Sequence, residues 1–159
     1  MADNPYAGLR NLALSANAEQ LGFSPTVDLP DVFGVVADLE LQGTATLVCL
    51  RDGTTSLYYS SGGGAIGLGQ HESIRQAALS FVGLVQEYVG TFSSGPDALP
   101  LPPGHCCFTA LTYGGTRSLT ASEADLNATD SEAGSLYRAF HAVIGAYRLW
   151  VDTQPNDAR

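Results

Sequence analysis

The tetrapeptide Arg51-Asp52-Gly53-Thr54, set between two stretches rich in β-branched residues, constrains the fold more than any other feature of the chain. Asp-Gly in that setting predicts a tight type I′ β-hairpin, in which both central residues need positive φ. Thr44 to Arg51 and Ser56 to Ser60 are then antiparallel strands, with Leu57 and Tyr59 on one face of the second. Val32 to Leu41 reads as a strand before them. Gly114-Gly115 is a further hairpin signal, between strands at His105 to Tyr113 and Thr116 to Ala121. Local hairpins imply a mainly antiparallel sheet.

Helical periodicity fills the remaining segments. Asn4 as cap and Pro5 at the first helical position open a helix that places Leu9, Leu12, Ala13 and Ala16 on one face. Asn17 recaps a last turn, and Gly22 ends it. Ile74, Ala78, Phe81, Val85, Tyr88 and Phe92 mark a second helix from Gln70 to Phe92, with Glu72, Gln76 and Glu87 opposite. A third begins at the capping-box pattern Thr129-Asp130-Ser131-Glu132 and runs to about Trp150. Ser93 to Gly104, rich in proline and glycine, is a surface loop, and Val151 to Arg159 a flexible tail. The expectation is one α+β domain over residues 1–159 with its core in 5–150. It has a five-stranded, mainly antiparallel sheet and three helices in the order α-βββ-α-ββ-α.

Charge narrows the classes of partner. The 159 residues carry 16 acidic side chains against seven arginines and no lysine, for a formal net charge of −9. Such a field repels phosphate backbones and anionic membrane surfaces, so neither nucleic acid nor membrane is expected as a partner. The absence of lysine removes Schiff-base chemistry and the P-loop lysine. Charged residues make up only 14%, against about 25% in an average soluble domain. Part of the surface is therefore apolar, and self-association is expected. Cys49, Cys106 and Cys107 form no paired framework, and no signal peptide or apolar run of about 20 residues is present. A cytoplasmic location is the expectation.

Three constellations bear on chemistry. Ser61, Gly62, Gly63, Gly64 and Gly67 lie in a glycine-rich loop (61–69) between a strand and a helix. Its amides, with His71 and Arg75, form a candidate site for an anion or small ligand. The formal G-x-G-x-x-G at Gly62, Gly64 and Gly67 lacks the parallel strands and acidic strand end of a dinucleotide fold. A tight strand-to-helix connection explains the same glycines. His105-Cys106-Cys107 invites a metal or nucleophile reading, but no second ligand pair exists at metal spacing. Buried cysteines acting as small hydrophobes account for it. No pair of carboxylates suggests acid–base catalysis. The expectation is a protein with no cofactor, no metal and no enzymatic activity.

The last helix is apolar around most of its girth. Gly134, Arg138, His141, Gly145 and Arg148 form one narrow polar stripe, which is a solvated face or a site for an acidic partner. Tyr137, Phe140, Ile144, Tyr147 and Trp150 are the candidate interface residues, because a single sheet cannot cover so much apolar helix.

The element order, size and acidity from Pro5 to Trp150 resemble the type III secretion chaperone-like fold, which includes the YbjN-like proteins. The run from Ser56-Leu57-Tyr58-Tyr59-Ser60-Ser61-Gly62-Gly63-Gly64 to His71 also resembles an uncharacterised bacterial protein family. The first resemblance implies a homodimer that binds extended client segments in apolar grooves and by strand addition at a sheet edge. The expected function is a non-catalytic homodimeric protein-interaction or chaperone-like module. A small-ligand or anion sensor built on loop 61–69 is the alternative.

Overall fold

A computed structural model of the protein describes residues 4–95 and 101–154. β1 (Val32–Leu41), β2 (Gly43–Leu50) and β3 (Thr55–Tyr59) form an antiparallel meander, in which Val36 faces Val48 and Leu47 faces Leu57. The β2–β3 turn falls where Asp52-Gly53 predicts it, but its type differs. Gly53 has φ 91° and no described non-glycine residue has positive φ, so Asp52 keeps an ordinary backbone. The result is a longer loop ending in a left-handed glycine, closed by the Leu50 amide donating to the Thr54 carbonyl at 2.9 Å.

Among the described residues, the expected five strands and three helices are corrected to seven strands and four α-helices. The sheet is antiparallel throughout, in the order β4-β3-β2-β1-β6-β7-β5. β6 (Cys106–Thr112) and β7 (Gly115–Ala121) are the expected second hairpin. The additions are β4 (Gly64–Ala65), inside the glycine-rich loop, and β5 (Ser93–Ser94), at the start of the proline-rich one. Each is a two-residue pairing at a sheet edge, too short for alternating hydrophobicity to register. Residues 96–100 of that second loop lie outside the described residues.

The added helix, α3 (Glu123–Asn127), begins with a capping box. Ser122 Oγ accepts from the Asp125 amide at 3.4 Å, and the Asp125 carboxylate accepts from the Ser122 amide at 3.3 Å. α4 (Glu132–Asp152) starts two residues later than Thr129-Asp130-Ser131-Glu132 suggests, because Ser131 is its cap and accepts from the Gly134 amide at 2.8 Å. It continues through Val151 and Asp152, beyond the end near Trp150 that the sequence predicts, so these two residues are helical rather than part of a flexible tail. Residues 155–159 of that tail are outside the described range.

α2 (Glu72–Tyr88) and α4 pack against each other on one face of the sheet. Ile74, Ala78, Phe81 and Val85 bury the inner side of α2, and Phe81 meets Phe108 of β6 edge-to-face at 6.2 Å. Full burial of one such ring is worth about 1.5–3 kcal/mol. The Gln86 side-chain carbonyl accepts from the amides of Asp31 and Val32, both at 2.9 Å, and fixes the end of α2 to the start of β1. No helix among the described residues is long and apolar enough to cross a membrane.

The other face is covered by α1 (Tyr6–Leu14) and the segment after it, over a smaller cluster of Phe33, Val36, Val48 and Leu111. Here the sequence misdirects. The stripe of Leu9, Leu12, Ala13 and Ala16 does not face inward as a unit. Leu12 is 70% exposed, whereas Arg10 is only 8% exposed. The reason lies in β1. Asp38 is fully buried (0%) in the middle of the sheet, and a buried carboxylate needs a counter-charge. Helix α1 turns its arginine side to the sheet to supply one.

Candidate functional site

Most of the glycines in loop 61–69 are used by the chain itself. Gly62, Gly63 and Gly64 have φ of 106°, 85° and 148°, which reverses the chain after β3 and pairs Gly64 with Tyr58. A Cβ on Gly64 would stand 2.1 Å from the Leu57 carbonyl oxygen. One on Gly69 would stand 2.1 Å from the Gly53 carbonyl oxygen, so the start of α2 and the β2–β3 turn touch backbone to backbone. Of the seven candidate ligand residues, Gly67 and Arg75 converge, in a hollow of about 370 Å³ shared with Asp52, Thr54 and Gln70. Arg75 lies across Gly53, and its Nε is buried with no hydrogen-bond partner among the described residues. Ser61 lines a different hollow, beside Leu41 and Tyr59. His71 turns to Trp150, with ring centroids 4.1 Å apart. Gly62, Gly63 and Gly64 do not line the Arg75 hollow.

The cysteines are all buried. Cys49 and Cys106 lie in the core between sheet and helices, and burial pushes both thiols well above their ordinary range. Cys107 points to the opposite face, where its sulfur is 3.7 Å from Thr109 Oγ1. His105 precedes β6 and sets Nδ1 3.3 Å from the Pro103 carbonyl oxygen. No group of three or more potential metal ligands exists among the described residues. Burial thus disfavours the thiolate of Cys49 and Cys106, the form in which a cysteine acts as a nucleophile.

α4 divides the five candidate interface residues. Phe140 and Ile144, 1% and 9% exposed, belong to the core of their own chain and cannot meet a partner. Tyr137, Tyr147 and Trp150 are half-buried, with Tyr137 stacked parallel to Phe140 at 6.2 Å and Tyr147 near Trp150 at 6.4 Å. The apolar girth is accommodated because α4 lies against α2 and the sheet at once. Gly134 also leaves the expected polar stripe. It is buried, and a Cβ there would stand 2.1 Å from the Ala128 carbonyl oxygen. The exposed residues of α4 are Arg138, His141, Ala142, Arg148 and Leu149, with Glu132 and Asp152 at its ends.

Two features on the α1 side carry no local motif. Arg10 Nε and Nη2 donate to the two oxygens of Asp38 at 3.0 and 2.8 Å. Thr46 donates to Asp38 at 2.6 Å, and the Tyr6 hydroxyl is 2.7 Å from Thr46 Oγ1. Burial pulls the Arg10 guanidinium down, but the hydrogen bonds and charge of Asp38 outweigh it, and the group is held above its ordinary value. Burial raises the Tyr6 phenol. Beside this network, Leu9, Leu12, Ala16 and Leu21 face Val48, Leu50 and Tyr58 across a groove of about 430 Å³. No charged side chain lines it. An aspartate in the middle of an apolar strand was the available signal for the network. The groove had none, since Leu9 and Leu12 read as core.

Comparison with protein-family models, with curated proteins and with solved structures returned no match.

Proposed function

We propose that the protein is a non-catalytic interaction module that pairs with a second copy of itself through the groove between α1 and the β2–β3 ribbon. The observation carrying this reading is a helix that points its arginine inward and leaves Leu9 and Leu12 in water. Contiguous exposed apolar surface in a groove marks a face that is covered in use. A second copy suits it electrostatically. Two chains of charge −9 repel least where their contact carries no charge, and the groove lining is neutral. The sheet edges fit association by grooves better than by strand addition, because β4 and β5 are only two residues each.

Light scattering on the purified chain tests the proposal. The expected mass is twice the 16.6 kDa of one chain, reverting to a single chain in Leu12→Glu. A wild-type monomer at every workable concentration overturns the dimer. A Leu12→Glu variant that still dimerises overturns the groove.

The alternative, a small-ligand or anion sensor on the glycine-rich loop, has one observation in its favour, the unpartnered Arg75 Nε. Against it, Asp52 lines the same hollow, Gly62, Gly63 and Gly64 lie outside it, and Gly64 and Gly69 are occupied by backbone contacts. A thermal shift with phosphate or a carboxylate, lost in Arg75→Ala, would reverse the preference.

A further inference from the structure

We infer that the outer face of α4 is a docking face for an acidic, partly apolar peptide segment of another protein. This surface is independent of the groove beside α1.

Arg138, His141, Ala142, Arg148 and Leu149 are exposed on α4 and share one side of it, the positions falling three, four, ten and eleven residues after the first. At 1.5 Å per residue the two arginines stand about 15 Å apart along the axis. From Arg138 to Leu149 the stripe carries two arginines and no carboxylate on a protein that is otherwise acidic; Asp152, also exposed, follows one turn beyond Arg148, and Glu132 stands at the other end of α4. The other described arginines are engaged elsewhere. Arg10 holds Asp38, Arg51 donates to Ser24 and Tyr113, Arg117 donates to Phe92, and Arg75 lies folded across Gly53. Arg148, by contrast, makes no hydrogen bond or ion pair among the described residues. Arg138 commits a single nitrogen, Nη2, to Thr129 and Ser135. Next to Arg148 along the chain, Leu149 is 70% exposed. Arginine is enriched in protein-docking faces, and here one stands beside an exposed aliphatic side chain.

Charge selects the occupant. A second copy docking α4 against α4 in antiparallel fashion would set Arg138 opposite Arg148 of the other chain, like charge against like. A nucleic acid would extend its own charge far past a 15 Å patch, into the field of a protein of net charge −9. A short acidic segment keeps its charge on the patch. About five extended residues, at roughly 3.3 Å each, span the distance between the arginines.

The test uses a fluorescent synthetic peptide of alternating glutamate and leucine, about twice that span in length. The wild-type 159-residue chain is expected to bind it, with affinity falling as salt is raised. Arg138→Gln/Arg148→Gln is expected to melt as the wild type does and to bind about tenfold more weakly, the scale of two lost charge-assisted contacts at an exposed face. Leu12→Glu, which removes the proposed self-association, is expected to leave peptide binding unchanged. Several results overturn the inference: no binding by the wild type, undiminished binding by the double variant, or equal binding of the peptide with glutamine in place of glutamate. Tighter binding of single-stranded DNA of equal charge, or loss of peptide binding in Leu12→Glu, overturns it as well.

Discussion

The guanidinium of Arg10 and the carboxylate of Asp38 meet through two hydrogen bonds, 3.0 and 2.8 Å long, at a place where the carboxylate has no contact with solvent. Removing one partner strands the other. Arg10→Met is expected to destabilise the protein by about 3–5 kcal/mol, because it leaves the buried Asp38 carboxylate without its counter-charge and with Thr46 still donating to it. Arg10→Met/Asp38→Leu is expected to recover most of that loss, since it takes both charges out of the interior. Chemical denaturation of the three proteins checks this. A double variant less stable than Arg10→Met refutes the account.

Gly64 and Gly69 each face a carbonyl oxygen 2.1 Å from where a Cβ would sit, and Gly64 also has positive φ. Alanine at either position is expected to cost more than about 1 kcal/mol. Gly83, exposed within α2 with nothing inside 4 Å of the corresponding point, is the internal control. Gly83→Ala should raise stability by about 1 kcal/mol through helix propensity alone. Thermal melts that fail to separate the two classes contradict the packing explanation of the glycine-rich loop.

Cys49, Cys106 and Cys107 should resist a thiol reagent in the native protein at mildly alkaline pH and react together once the chain is unfolded. Burial both blocks access and, for Cys49 and Cys106, suppresses the thiolate. Rapid native labelling of any of the three would reopen the nucleophile reading of His105-Cys106-Cys107.

His141 lies against the rings of Tyr137 and Phe140 on α4, and its pKa is lowered from the ordinary 6.5 by partial burial first and by the Arg148 charge second. As pH falls below 6.5 the unfolded chain takes up this proton before the folded one does. The contribution of His141 to stability is therefore present above that pH and is lost as pH drops toward the folded value. Arg148→Gln should raise the pKa of His141, as read from its ring proton shifts. A wild-type value at or above 6.5 contradicts this.

The parts of the fold that follow from local period and turn chemistry were legible. β1 has the predicted ends, β2, β3, β6 and β7 agree to within a residue or so, and the inner side of α2 is the one its spacing marks. What escaped was decided by tertiary contact. β4 and β5 exist only because an adjacent strand pairs with two residues of a loop. The inward side of α1 was set by Asp38, 28 residues from Arg10 along the chain, and one buried charge outweighed a stripe of leucines and alanines. Ile144 and Phe140 looked like surplus apolar surface because periodicity does not reveal that α4 has both a sheet and a helix to lie against. In the glycine-rich loop, composition suggested a ligand cradle, whereas Gly64 and Gly69 serve close backbone approaches and Gly62 and Gly63 the reversal of the chain after β3.

Trp150 is the only tryptophan in the chain, and its indole rests on the imidazole at the head of α2. Its emission therefore watches a single seam, the place where the final helix closes onto the second. Separation of those two helices registers in fluorescence with no label added. An event confined to α1, on the far side of the sheet, leaves the signal flat, and the protein thus carries a built-in means of telling motions of its two layers apart.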